Sequence, residues 1–285
     1  MKKMERLKNP LFLPTLGFQI FFWFFLITIG IFVFFPQLWL INTAFKKPGD
    51  IFRINFFTNP TLENFRNVMT SSKFLVFLKN SLFVSIVSSI FATIISTLAG
   101  YSFSKYRYRG RKSMMNVILV SQAFPSGILL ISIYLMMKYF GLLDNHLSII
   151  LSYITFTLPI GTWTIKSYFD QLPNSLIESA KVDGAGTLTT IFRIIMPLAI
   201  PGIVSVLIVG FIWSWNDLLF SLTFITKEDL RTLGPGLQYA FMGEFHNDWG
   251  GLLAASLSFT VPITVMFIFL QRYFISGLTS GAVKG

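Results

Sequence analysis

Few side chains in this 285-residue chain are spaced to make or break bonds, and the best-patterned ones are suited to binding instead. The densest pattern lies in residues 172–201, LPNSLIESAKVDGAGTLTTIFRIIMPLAIP. Glu178 provides a fixed charge, and Ser179 and Ala180 are small enough for another backbone to come close. Asp183-Gly184-Ala185 supplies a turn whose glycine can take the left-handed conformation that closes a helix. Pro173 suits a first helical turn, where its missing N–H would have no partner anyway. From there Leu172, Leu176, Ile177 and Ala180 fall on one helical face, with Glu178 and Lys181 on another. Thr187 can cap a second helix, whose Ile191, Ile194 and Ile195 lead into an apolar run. Two uses of such a segment are equally open: an amphipathic connector resting on lipid headgroups, or a surface offered to a soluble partner.

Other chemistries are excluded or poorly supported. The chain has no cysteine, which rules out disulfides, thiolate metal sites and a cysteine nucleophile. His146 and His246 are isolated in predicted loops, so a structural or solvated role is expected in place of a metal site. No G-x-x-x-x-G-K-[ST] loop is present to cradle nucleotide phosphates. Gly184-Ala185-Gly186 lacks the third glycine and the preceding strand of a dinucleotide fingerprint. No nucleophile–base–acid set can be assembled, so the chain is expected to be no enzyme and to hold no cofactor or metal. Ser121, Gln122, Trp163 and Asn216 are neutral polar groups in or beside apolar runs, and they can line a path for an uncharged polar solute. They can equally serve as interhelical hydrogen bonds or interfacial anchors.

The elements that must carry these residues are set by composition. Only 12% of residues are charged, against about 25% in a typical soluble domain. Hydrophobic residues make up 53%, 33 of them Phe, and the mean hydropathy is +0.66. The net charge of +11 sits in short runs between apolar stretches, which fits anionic headgroups better than nucleic acid. Crossing a bilayer takes about 20 helical residues. Six stretches meet that length: 18–44, 80–104, 113–137, 147–165, 195–220 and 250–271. The reading is an all-α membrane protein, a single transmembrane domain over 1–285, with a polar loop at 172–194 between the fourth and fifth spans.

The apolar run at 16–44 is too long for a cleaved signal and reads as a retained signal-anchor helix. Prolines 36, 125, 159, 201 and 262 lie in or near spans and are expected to act as simple kinks, or in some cases to shape a pathway. The spans lack the midplane ionisable groups that proton- or sodium-coupled carriers use. Lys105, Arg107, Arg109, Arg111 and Lys112, packed between two spans, put that loop and both termini in the cytoplasm. Residues 45–79 and 221–249 then form outer loops with room for short helices, and 141–146 a tight turn.

The polar loop also resembles a known element. Glu178-Ser179-Ala180, Asp183-Gly184-Ala185 and Ile195-Met196-Pro197 resemble the EAA loop of ABC importer permeases, with Ser179 in place of Ala and Met196 in place of Leu. Asn80-Ser81, Arg107 with Arg109-Gly110-Arg111, Gly141-Leu142-Leu143 and Trp215-Asn216-Asp217 extend the resemblance. So does the ending, from Gln271-Arg272-Tyr273-Phe274 through Gly277 to Gly281-Ala282-Val283-Lys284-Gly285. Together they are similar to the smaller, six-span permease of maltose-transporter-type carbohydrate importers.

The resemblance implies that residues 174–186 form a coupling helix seated on an ATPase, with Glu178, Ser179, Ala180, Asp183, Gly184 and Ala185 as coupling residues. It also implies a second homologous permease, two cytoplasmic ATPase subunits holding ATP and Mg, and an extracytoplasmic sugar-binding protein. The residues alone leave two alternatives: a membrane scaffold or sensor that recruits a cytoplasmic partner, and an importer permease for a non-sugar solute.

Overall fold

The computed structural model describes residues 16–243 and 247–282, with side chains up to Gln271. His246, Lys2, Lys3, Arg6, Lys8 and residues 283–285 of the motif at the end lie outside the described residues, as do the side chains of Arg272 to Ala282. The described chain is helical, with no strand beyond one antiparallel bridge between Met242 and Asn247.

Four helices are long and apolar enough to cross a membrane: α1 (Leu16–Ala44), α3 (Ser72–Lys105), α6 (His146–Gln171) and α12 (Trp249–Ala282). Two more crossings exist only if bent pairs are counted as one span each. In the first pair, α4 (Arg111–Val120) and its 3-10 extension Ser121–Ala123 meet α5 (Ser126–Tyr139) at 103°. In the second, α8 (Thr187–Leu198) meets α9 (Ile200–Trp215) at 76°.

These bends go beyond the simple kinks expected at Pro125 and Pro201 in the third and fifth spans. Pro125 forces its predecessor Phe124 out of the helical region to φ −83, ψ 122. The chain turns there outright, and a kink is too weak a description. In the second pair, Pro197 and Pro201 remove two N–H donors around Ala199, which sits at φ −95, ψ 3. The six residues Thr190–Ile195 before this elbow are wound as a π-helix. By contrast, Pro36, Pro159 and Pro262 lie inside continuous helices. The expected fifth span to residue 220 stops at Trp215, and α10 (Leu219–Phe224) is separate.

The centre of the bundle is α3 packed on α6 and α9, with α12 on the far side of α9 and α1 against α12. The buried face of α3 carries Ser81, Ser85, Ser88, Ser89, Ala92, Thr93, Ser96, Thr97 and Gly100, spaced mostly three or four apart. Lipid removes the hydrophobic drive between helices, so close contact of small residues has to hold them together. A Cβ on Gly161 of α6 would come within 2.5 Å of the Ser96 hydroxyl, so that crossing requires glycine. The bulk of α1 makes little use of such contacts: only Asn42, Thr43 and Ala44 at its end are buried.

The loops expected to hold short helices do so, as α2 (Glu63–Thr70) and α11 (Leu233–Phe241). The tight turn at 141–146 is also present. Gly141, at φ +67, closes α5 with bonds from its own N–H to Lys138 O and from Leu142 N–H to Met137 O. The Asn145 side chain then caps α6 at Leu147 N–H.

Candidate docking surface and candidate solute path

The segment at 172–194 folds as a corner at one end of the bundle. α7 (Ser175–Val182) opens after Pro173 and is closed at Gly184, whose φ is +77. Gly184 N–H donates to Lys181 O at 3.1 Å and Ala185 N–H to Ala180 O at 2.9 Å, the paired bonds of a Schellman motif. Nothing lies within 4 Å of where a Gly184 Cβ would be, so conformation, not space, requires glycine there. Glu178 in the first turn and Lys181 in the last both complement the helix dipole.

The inner face of α7 packs as its periodicity predicted. Leu172, Leu176 and Ile177 lie against a buried cluster of Tyr101, Ile165, Phe169, Ile191, Ile195, Ala199 and Val206. Ala180 belongs to that inner face as well, at 3% exposure. This corrects its sequence reading as a residue that a partner's backbone approaches. Its small size lets α7 lie close to its own bundle, and only Ser179 is on the outside. Also exposed are Glu178, Lys181, Asp183 and Gly184, together with the apolar Val182 (88% exposed), Leu188 and Phe192.

Three anchors went unrecognised in the sequence. Lys105, at the end of α3, donates to Leu172 O at 2.7 Å and to Asn174 Oδ1 at 3.2 Å. Ser104 donates to Asp170 Oδ1 at 2.7 Å, and Lys166 pairs with Asp170 Oδ2. These bonds tie the ends of α3 and α6 to the root of α7. Lys105 could have been suspected because it alone of the basic run is continuous with a span.

All four proposed path residues are exposed. Ser121 Oγ bonds within its own turn to Ile118 O at 2.6 Å, and Gln122 Nε2 bonds to Phe156 O of α6 at 3.0 Å. Gln122 therefore acts as an interhelical bond. Trp163 is exposed on α6 and Asn216 in the turn after α9, and no hydrogen bond or ring contact described joins any two of the four. A polar constellation that the sequence did suggest only by its edge is Asp217. It accepts from Tyr153 OH at 2.7 Å and from Ser221 N–H at 3.0 Å, joining α6 to the start of α10. His146, expected to be structural, has Nε2 2.8 Å from Leu230 O. No cluster of metal-binding side chains occurs among the described residues.

Residues 92–280 match the family described as binding-protein-dependent transport system inner membrane component. The chain belongs to that family. It is 34% identical over 254 residues to the diacetylchitobiose uptake system permease protein of Streptomyces coelicolor, covering 88% of this chain and 92% of that protein. It is 32% identical to the trehalose/maltose transport system permease protein of Thermococcus litoralis, over 91% of this chain and 94% of the relative.

A crystal structure of a bacterial ABC transporter that imports the acidic polysaccharide alginate matches with a TM-score of 0.80 at 20% identity, over 92% of this chain and 99% of that one. A second crystal structure, the bacterial alginate transporter in complex with alginate pentasaccharide-bound periplasmic protein, matches at 0.66 and 21% identity, over 89% and 93%. The chain is thus an inner-membrane permease component of ABC import systems, and its membership is not in an enzyme family.

Proposed function

We propose that this permease moves sugar of oligosaccharide size, and that the α7 corner is where ATPase motion enters it. In this reading residues 1–285 form one transmembrane domain with both termini cytoplasmic. It pairs with a second homologous permease to enclose the path, stands on two cytoplasmic ATPase subunits that hold ATP and Mg, and receives cargo from an extracytoplasmic sugar-binding protein. The sugar assignment is supported by the diacetylchitobiose and trehalose/maltose relatives. The ring of partners is supported by the family description and by the periplasmic protein in the alginate complex.

The observation that carries the coupling role is the exposed corner of Glu178, Ser179, Val182, Asp183 and Gly184, held rigidly from behind. Closure of the ATPases pulls on this corner. Because Leu176 and Ile177 are packed against the cluster that holds Ile165, Ile191 and Ile195, and Lys105 grips Leu172, the pull passes to the ends of α3, α6 and α8 together. A close-packed contact transmits displacement instead of absorbing it. The rigid helices then rock, opening the path alternately to either side.

Gly184→Val tests this directly. A β-branched residue at φ +77 is strained, while the open space around it leaves insertion and folding intact. The expected result is loss of transport and of cargo-stimulated ATPase in the assembled complex. Undiminished uptake would remove the coupling role. Glu178→Lys should weaken co-purification of the ATPase subunits, and unchanged yield would move the contact elsewhere on the corner.

A further inference from the structure

The basic run between α3 and α4 is a strongly charged patch that neither the coupling corner nor a sugar path uses. Lys105 is engaged with Leu172 O, and Arg111 Nη1 closes the loop on itself by donating to Tyr106 O at 2.9 Å. Arg107, Arg109 and Lys112 are exposed, and none meets an acidic side chain among the described residues. Gly110, at φ +86, turns the chain so that Arg107, Tyr108, Arg109, Lys112 and Ser113 line an open hollow of about 690 Å³. Arg111 N–H turns to Tyr108 O and Met114 N–H to Gly110 O, whereas no backbone acceptor is described for the N–H of Lys112 or Ser113. Cations and unused N–H groups therefore point to the same kind of ligand, a compact anion with several acceptor oxygens.

The position of the hollow narrows the source. α3 is a membrane-spanning candidate that ends at Lys105, and α4 begins the next apolar run at Arg111, so the hollow lies at a membrane surface whichever side it faces. Tyr106 and Tyr108 flank it, exposed, as interfacial aromatics do. Basic side chains at such a surface attract anionic headgroups. We infer that the hollow formed by Arg107, Arg109, Lys112 and Ser113 is a binding site for the phosphate of an anionic phospholipid headgroup. This goes beyond the transport role and does not depend on the α7 corner.

The test uses the full chain assembled with its partner subunits, in nanodiscs of phosphatidylcholine mixed with phosphatidylglycerol, with retained lipid counted by native mass spectrometry. Selective retention of phosphatidylglycerol is expected. The combined variant Arg107→Gln, Arg109→Gln, Lys112→Gln should lose that selectivity, while the charge-preserving pair Arg107→Lys, Arg109→Lys should keep most of it. The single variant Arg109→Gln, expected to lose part of the selectivity, keeps the test decisive if the triple variant fails to assemble.

Equal selectivity in the glutamine variants would overturn the site. Inorganic phosphate displacing the lipid at matched ionic strength would overturn the lipid as occupant in favour of a soluble phosphate. Loss of ATPase subunits from the triple variant with lipid retention unchanged would overturn it in favour of a protein contact.

Discussion

The two ends of the α3–α6–α9 bundle are built on opposite plans. At the α11 end the loops are laced to the helices over long chain separations. Asn80 Nδ2 donates to Asp229 O and Arg231 O, Ser81 Oγ accepts from Leu233 N–H, and Asn64 Nδ2 donates to Ala44 O and Lys46 O. Asp144, in the α5–α6 turn, accepts from the N–H groups of Thr226 and Lys227 and from Thr226 Oγ1. At the α7 end the anchors are fewer, and apolar and charged side chains are left facing outward. The contrast teaches that the α11 end is cross-tied by its own chain, whereas the α7 end is the one that the proposed function leaves for a partner to complete. Substitutions at the first end should cost stability, and at the second they should cost coupling.

The strongest challenge to this contrast is Asn64→Ala. It deletes two bonds of a buried amide and strands two carbonyls, which should cost about 2–4 kcal/mol. Chemical denaturation of the purified chain would read the loss, and a wild-type midpoint would break the comparison at its firm end. Gly236→Ala comes next. Its Cβ would meet the Phe77 ring at 2.4 Å, so about 1–3 kcal/mol of overpacking is expected, read as a lower melting temperature.

A smaller effect tests the electrostatics of the same end. Desolvation pushes the Asp144 carboxyl up, but the Lys227 and Thr226 N–H bonds, the Thr226 hydroxyl and the Lys227 charge outweigh it and hold it below the usual range. Its stabilising contribution is therefore complete above the ordinary carboxylate range and disappears as pH falls through the depressed folded value. A melting-temperature profile against pH should lose part of its acid limb in Asp144→Asn. An unaltered limb would assign the acid sensitivity to other groups.

The smallest stability change belongs to the α7 end. Val182→Ser, at an exposed position, should shift stability by no more than about 0.5 kcal/mol. In the assembled complex it should nonetheless reduce cargo-stimulated ATPase. A destabilised variant, or one with normal stimulation, would erase the distinction between the two ends.

Much of the α7 corner was legible because its signals are local. Pro173, the apolar face of Leu176 and Ile177, and Gly184 each act within a few residues of themselves. The structure keeps the last two in the predicted roles, while Pro173 falls just before the helix, whose N-cap is Asn174 and which starts at Ser175. Ala180 carried two readings, one on the apolar face with Leu176 and Ile177 and one as an approach point for a partner's backbone, and its burial keeps the first and removes the second. Gln122 also carried two: its amide could have faced a solute, and the Phe156 carbonyl, 34 residues away, took it instead. Pro125 and Pro201 could be located in the sequence but their effect could not. Pro159 and Pro262 have the same backbone chemistry and leave their helices unbroken.

Chain chemistry alone determined that this protein lives in a bilayer, where its helices lie, and which corner stays polar, because apolar length and turn preference are properties of short stretches. Tertiary structure decided the 103° and 76° elbows, the inward face of Ala180, the grip of Lys105 on Leu172 and the glycine crossing at Ser96 and Gly161. Each of these depends on which distant residue arrives to supply or deny a contact, and no local preference contains that information.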